Sequence, residues 1–78
     1  MPEQPLLIID AIGRKCPIPI ILLAGRLRDV PIGSVIAVTA DDPAAQADIP
    51  AWCRMKRHTF VTEVPLRRGS AFHIRRMY

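Results

Sequence analysis

The sequence predicts an α/β fold, a two-layer α/β sandwich in which two helices cover one face of a four-stranded mixed sheet. Three observations indicate it: short β-branched runs, an apolar stripe of helical period between the first two runs, and connections too short for further elements. The predicted element order is β-α-β-α-β-β. With 78 residues, 50% of them hydrophobic, the chain is expected to form a single domain over residues 1–78.

The first half of the chain predicts a β-α-β unit. Leu6–Ile9 is a short apolar run that ends at Asp10, and it is typical of a strand buried on both faces or strongly on one. The next apolar positions recur every three or four residues, which predicts an amphipathic helix that Pro31 stops. These positions are Ile20, Leu23, Leu27 and Val30. Val35–Thr39 forms the second strand, and a right-handed crossover makes the two strands parallel.

A second helix is predicted with Asp42 as its N-cap and Pro43 at its first helical position. Pro50 removes a hydrogen bond inside this helix, so the helix must be irregular there or restart with Asp48 as a second N-cap. We attribute the pair Asp41 and Asp42 to capping and solvation, not to acid–base chemistry. Three larger side chains of the helix are expected in the core: Trp52, Cys53 and Met55.

The last third of the chain combines an antiparallel hairpin with a basic surface. Thr59–Val64 and Ala71–Tyr78 alternate as strands do, with a loop between them. Residues 51–78 hold seven basic residues against Glu63 alone, whereas residues 1–50 hold four basic and six acidic residues. Such a surface steers acidic partners or polyanions. We expect three of its residues to contribute to partner docking: Arg54, Lys56 and Arg57.

The stretch Gly13–Pro19 holds the candidate site. Its central residue is Cys16, and the supporting residues are Arg14, Lys15, Pro17 and Pro19. Each proline restricts the residue before it to extended conformations, so the first helix cannot begin before about Ile18 or Pro19. Cys16 is therefore expected just outside the helix N-terminus, in a loop that is stiffened by proline and flanked by cations.

The start of this helix favours an anion. Ile18 has no side-chain acceptor, so the helix lacks a polar cap and the N–H groups of Ile20 and Ile21 remain available. These donors, the helix dipole and the two cations predict a Cys16 thiol with a lowered pKa. Such a thiol is a nucleophile.

The two cysteines also admit other interpretations. Local physics leaves open that Cys16 is a small buried hydrophobe in an ordinary turn. Cys53 is expected in the core, but the sequence leaves open a resolving role or a disulfide with Cys16. Neither cysteine forms a ligand cluster with His58 or His73, so we expect no metal site and no cofactor.

Two blocks of the sequence resemble one known family. The first block is Asp10–Pro19, which contains Cys-Pro-Ile-Pro, and the second comprises Ala40–Ala44 and Asp48–Cys53. The first block resembles the signature of the TusA-like (SirA/YedF) sulfur-carrier family, a Cys-Pro-x-Pro motif after a short first strand. The second block resembles the opening of that family's second helix. Together with the strand order, the resemblance covers nearly the whole chain.

The resemblance implies a two-layer α/β sandwich whose motif cysteine, Cys16 here, accepts sulfane sulfur as a persulfide and relays it to an acceptor protein. The implied donor is a cysteine desulfurase or another sulfurtransferase. Destinations in the family include tRNA thiolation, molybdenum-cofactor assembly and sulfur oxidation, and this sequence does not choose among them. Ile18 fills the variable position of the motif. That position is often acidic in the family's tRNA-thiolation branch, so the resemblance leaves room for partners other than those of that branch.

Two functions other than sulfur carriage fit parts of the sequence. The alternative is a basic nucleic-acid-binding or regulatory module in which Cys16 is incidental, but the chain has few aromatics for base stacking and no recognised binding motif. A thiol redox enzyme is disfavoured because Cys16 has no second cysteine at the spacing of a Cys-x-x-Cys motif.

The sequence predicts no membrane segment and no secretory signal. The apolar run Pro17–Gly25 is too short to span a bilayer, and the N-terminus lacks the charged start of a secretory signal. A cytoplasmic protein that does not bind membranes is expected.

Overall fold

The computed structural model describes residues 3–78 and has the predicted element order. Its strands and helices are β1 (Leu7–Asp10), α1 (Ile18–Arg26), β2 (Val35–Ala40), α2 (Ala45–Lys56), β3 (Thr59–Pro65) and β4 (Ser70–Arg75), with a 3-10 turn at Leu27–Asp29. The sheet order is β1-β2-β4-β3; β1 and β2 are parallel, and the other neighbours are antiparallel. The four-stranded mixed sheet with two helices is confirmed.

The core lies between the helices and one face of the sheet. Because side chains alternate across a strand, Ile36 and Val38 of β2 point to the same face, and their partners on β4 are Ile74 and Phe72. All four side chains are buried. The helices cover this face with their own buried side chains: Leu23, Leu27, Ile49, Trp52 and Cys53.

The other face of the sheet is partly open. Ile8 of β1 is 62% exposed, whereas its neighbour Ile9 is buried, so the first strand is buried on one face only. Val61 and Val64 of β3 are also exposed. Within residues 3–78, no helix has the length and apolar character needed to cross a membrane.

Helix α2 differs from its sequence prediction at its start and in the burial of Met55. It begins at Ala45 without a side-chain cap; the Oδ1 atom of Asp42 instead accepts the N–H of Ala44, the residue directly before the helix. The helix continues through Pro50, so no restart occurs. Met55 is 69% exposed, and its predicted burial is wrong because the helical period turns it away from the inward stripe of α2.

The C-terminus is held by a row of stacked rings. The rings of His58 and Tyr78 have centroids 4.5 Å apart, and the rings of Trp52 and His58 also stack, with centroids 5.9 Å apart. The Met77 N–H donates to Nδ1 of His58 over 3.1 Å. Burial, reinforced by the Arg76 charge, lowers the pKa of His58, so this imidazole is a neutral structural acceptor.

Candidate functional site

Three loops meet at one end of the sheet, and Cys16 lies in the first of them. The Cys loop (residues 11–17) follows β1, and the Asp loop (residues 41–44) follows β2. The carboxyl ends of parallel strands share one sheet edge, so these two loops are neighbours. The hairpin loop (residues 66–69) joins the antiparallel strands β3 and β4 at the same end.

Cys16 is held by its backbone and is partly open to solvent. Its N–H donates to Oδ2 of Asp42 over 2.9 Å, and its side chain packs partly buried against the edge of the core. The Cys16–Pro17 peptide bond is cis. Helix α1 begins two residues later, at Ile18, and Pro17 occupies the N-cap position without a side-chain cap. The sequence therefore predicted the start of this helix correctly.

Fewer N–H groups at the start of α1 are free to bind an anion than the sequence predicted. Ile21 donates to the carbonyl oxygen of Pro17 over 3.0 Å, and Ile18 donates to that of Lys15 over 2.9 Å. Pro19 has no N–H to donate. The expectation that Ile21 remains available is wrong, because the chain before the helix already folds as a turn.

The pKa of the Cys16 thiol is raised, so the predicted lowering is wrong. Burial against the core contributes most, and the carboxylates of Asp42 and Asp48 add to it because negative charges disfavour a thiolate. Arg14 and Lys15 are both exposed to solvent, which screens their charges. The free protein therefore holds Cys16 as a thiol at neutral pH.

This raised pKa predicts the pH dependence of alkylation. Only the thiolate reacts, so the pH at which iodoacetamide modifies Cys16 at half its maximal rate should lie above roughly 8.5, the pKa of an ordinary cysteine. Mass spectrometry over a pH series measures the rate, with Cys53→Ser as the matched control. A half-maximal rate at or below that pH would contradict the raised pKa of Cys16.

Cys53 is a core residue. It is 1% exposed, and burial raises the pKa of its thiol to about 11. Both cysteines are free thiols, so the alternative of a disulfide between Cys16 and Cys53 is not what the structure has. Residues 3–78 contain no group of three His, Cys, Asp or Glu side chains placed to hold a metal ion.

The Asp loop anchors the Cys loop through two carboxylates. Oδ1 of Asp41 accepts the N–H of Gly13 over 2.9 Å, and Asp42 accepts that of Cys16. These backbone hydrogen bonds are the largest cause of the lowered pKa of each carboxyl group. Both aspartates therefore act as ionised tethers. Sequence reasoning attributed them to capping and solvation, because nothing local shows a contact across 26 or 28 residues.

The hairpin loop completes this arrangement through Arg68 and Gly69. Arg68 donates from Nε to Oδ2 of Asp41 over 2.6 Å. Gly69 has φ +72°, and a Cβ atom built on it would lie 2.7 Å from the Cα atom of Asp41. Only glycine allows the two loops to approach so closely. The approach fixes the position of the Asp loop.

The structure brings together only part of the predicted site. Arg14 and Lys15 line a cleft of about 300 Å³ beside the Cys loop, together with both aspartates and Arg68. Pro17 is exposed, whereas Pro19 is buried and belongs to the side of α1 that packs on the core. The other predicted residues are exposed at the far end of α2: Arg54, Lys56 and Arg57. Twelve helical residues, a length of about 18 Å, separate that end from the Asp loop.

The fold and the site define a class: a small α/β sandwich that presents a partly buried cysteine between its first strand and first helix. The family model described as Sulfurtransferase TusA matches residues 7–75. A sulfur carrier protein TusA from Pseudomonas syringae pv. syringae (strain B728a) is 40% identical over 55 residues, which cover 70% of this chain and 66% of that protein. The chain belongs to the TusA family.

Proposed function

We propose that this protein is a sulfur carrier that accepts sulfane sulfur as a persulfide on Cys16 and passes it to an acceptor protein. The observation that supports this most is the position of Cys16: it is partly exposed, on a loop tethered at both ends, in a chain of the TusA family. Cys53 is unsuited to the role because it is buried. The name of the relative, a sulfur carrier protein, agrees with this proposal.

The proposed chemistry is thiol–persulfide exchange. The Cys16 thiolate attacks the outer sulfur of a donor persulfide and forms a new S–S bond. The bond between the outer and inner sulfur atoms of the donor breaks, and the donor leaves as a thiolate. An acceptor thiolate attacks the outer sulfur in the same way and releases Cys16 as a thiolate. Oxidation states balance, so no external oxidant is required.

The docked partner is proposed to speed the reaction of Cys16. Burial and the carboxylates of Asp42 and Asp48 raise the pKa of its thiol, so a base on the donor that takes the proton, or a cation on the donor that offsets these carboxylates, increases the reactive thiolate fraction. Ile18 and Ile21 are exposed on the first turns of α1, directly after the Cys loop. They offer an apolar surface for a partner beside the sulfur. The donor is proposed to be a cysteine desulfurase or another sulfurtransferase.

The test is loading of the purified protein with a cysteine desulfurase and free cysteine. The intact mass should increase by one sulfur atom, and dithiothreitol should remove that mass. A protein that remains at its unmodified mass, while a reference acceptor in the same assay is loaded, would contradict the proposal. The candidate cytoplasmic pathways are tRNA thiolation, molybdenum-cofactor assembly and sulfur oxidation. All three draw on the same thiol–persulfide exchange, so loading of Cys16 does not distinguish them.

The basic cluster at the end of α2 is proposed as a second docking surface. Arg54, Lys56 and Arg57 are exposed, and none forms an ion pair with the described residues 3–78. Charge reversal of all three should slow association with the partner about tenfold or more at low salt, because such cations steer encounter. Stopped-flow association at two salt concentrations measures this effect. Unchanged rates would remove the cluster from the docking surface.

A further inference from the structure

One carboxylate joins Cys16 to the second helix. The Cys16 N–H donates to Oδ2 of Asp42 over 2.9 Å, and the Ala44 N–H donates to Oδ1 over 3.1 Å. We propose that Asp42 is a positioning residue for sulfur transfer, which fixes the Cys16 backbone against the opening of α2 and so fixes where a partner finds the sulfur. This inference rests on the proposed function and names a residue that supports it.

The Cys loop has few other tethers. Arg14 donates to the carbonyl oxygen of Ala11, and Ile18 donates to that of Lys15, so both hydrogen bonds close turns within the segment. Among the hydrogen bonds of the described chain, residues 12–16 reach distant residues only through Asp41 and Asp42. Asp41 holds Gly13, three residues before Cys16, and the first residue of the loop, Ala11, donates to the carbonyl oxygen of Thr39. Asp42 is therefore the tether at the reacting residue itself.

Asp42 uses both of its carboxylate oxygens, one for the Cys16 N–H and one for the Ala44 N–H. An ionised carboxylate accepts hydrogen bonds at each oxygen, and charge-assisted bonds to N–H groups are stronger than neutral ones. An asparagine has one acceptor oxygen and one NH₂ group, so it satisfies one of the two N–H groups and opposes the other. Alanine satisfies neither. The two substitutions should therefore form a graded series.

Charge and position can be separated with Asp48. Its carboxylate also raises the pKa of Cys16, but it accepts no hydrogen bond from the Cys loop. Asp48→Asn therefore removes a nearby negative charge and leaves the tether intact. Asp42→Asn removes the charge and half of the tether. Both variants should shift the alkylation profile of Cys16 to lower pH.

The experiment compares loading of Asp42→Ala, Asp42→Asn and Asp48→Asn by a cysteine desulfurase with free cysteine. We expect kcat/KM to fall up to about 100-fold in Asp42→Ala, because a displacement near 1 Å has that effect on a reacting group. Asp42→Asn should fall less, and Asp48→Asn should load at least as fast as the wild type. Hydrogen exchange of the Cys16 amide should accelerate in the two Asp42 variants only.

Three results would overturn the inference. The first is folded Asp42→Ala that loads within twofold of the wild type, and the second is equal losses in Asp42→Asn and Asp48→Asn. The third is unchanged exchange of the Cys16 amide. If Asp42→Ala does not fold, Asp42→Asn decides the outcome with the same measurements. A wild-type protein that takes up no sulfur would refute the proposed function instead, while amide exchange would still show whether Asp42 holds Cys16.

Discussion

Cys16→Ser should lose all sulfur loading, whereas Cys53→Ser should load as the wild type does. An alcohol is a far weaker nucleophile than a thiol at neutral pH and forms no S–S bond, so the serine variant cannot hold sulfane sulfur. Cys53 is 1% exposed and lies in the core, out of reach of a docked donor. Intact-mass measurement of each variant after reaction with a cysteine desulfurase gives the result.

The pair of variants also tests the fold. Cys16 is only partly buried, so replacement by serine should leave the far-UV circular dichroism and the unfolding transition close to those of the wild type. Cys53→Ser places a hydroxyl in the core and should lower the free energy of unfolding by about 1–3 kcal/mol. Sulfur uptake by Cys16→Ser equal to that of the wild type would show that another residue carries it.

Gly69→Ala should destabilise the protein by about 3 kcal/mol, through backbone strain and overpacking together. The added Cβ would lie 2.7 Å from the Cα atom of Asp41, and backbone atoms on both sides cannot move aside cheaply. Displacement of the Asp loop should also loosen its hydrogen bonds to the Cys loop. Urea denaturation measures the stability, and hydrogen exchange at Gly13 and Cys16 measures the loosening.

Gly33→Ala is the matched control for this effect. Gly33 has φ +91°, also in the left-handed region, but a Cβ there would meet nothing within 4 Å. Its replacement should therefore cost only the backbone strain, about 1 kcal/mol. Equal losses in the two variants would mean that the close approach of Gly69 to the Asp loop contributes nothing to stability.

Local patterns were sufficient to predict the fold. The helical period of α1 and the β-branched run of β2 are properties of consecutive residues, and the crossover rule then made β1 and β2 parallel. The prolines around Cys16 placed the start of α1 correctly for the same reason, since their steric effect acts on adjacent residues. The burial of Met55 was predicted from its residue type and is wrong, because the helical period of α2 turns this side chain away from the core.

The electrostatics of the site could not be predicted in this way. Arg14 and Lys15 are adjacent to Cys16 in sequence, but burial against the core raises the pKa of its thiol, and the carboxylates of Asp42 and Asp48, 26 and 32 positions further along the chain, add to this effect. Only the fold brings these groups together. The ion pair between Arg68 and Asp41 likewise joins residues that are far apart in the sequence and close only in the fold. Residue-level physics indicated an exposed cysteine at a helix start, and the family resemblance alone indicated that its cargo is sulfur.

Cyanolysis of the loaded protein tests most directly whether Cys16 holds a transferable sulfur atom. Cyanide attacks the outer sulfur of a persulfide, forms thiocyanate and leaves the cysteine as a thiolate. After loading by a cysteine desulfurase and removal of the enzyme, the wild type should release one equivalent of thiocyanate per chain and return to its unmodified mass. Release of the same amount from Cys16→Ser, or none from the wild type, would contradict sulfur carriage on Cys16.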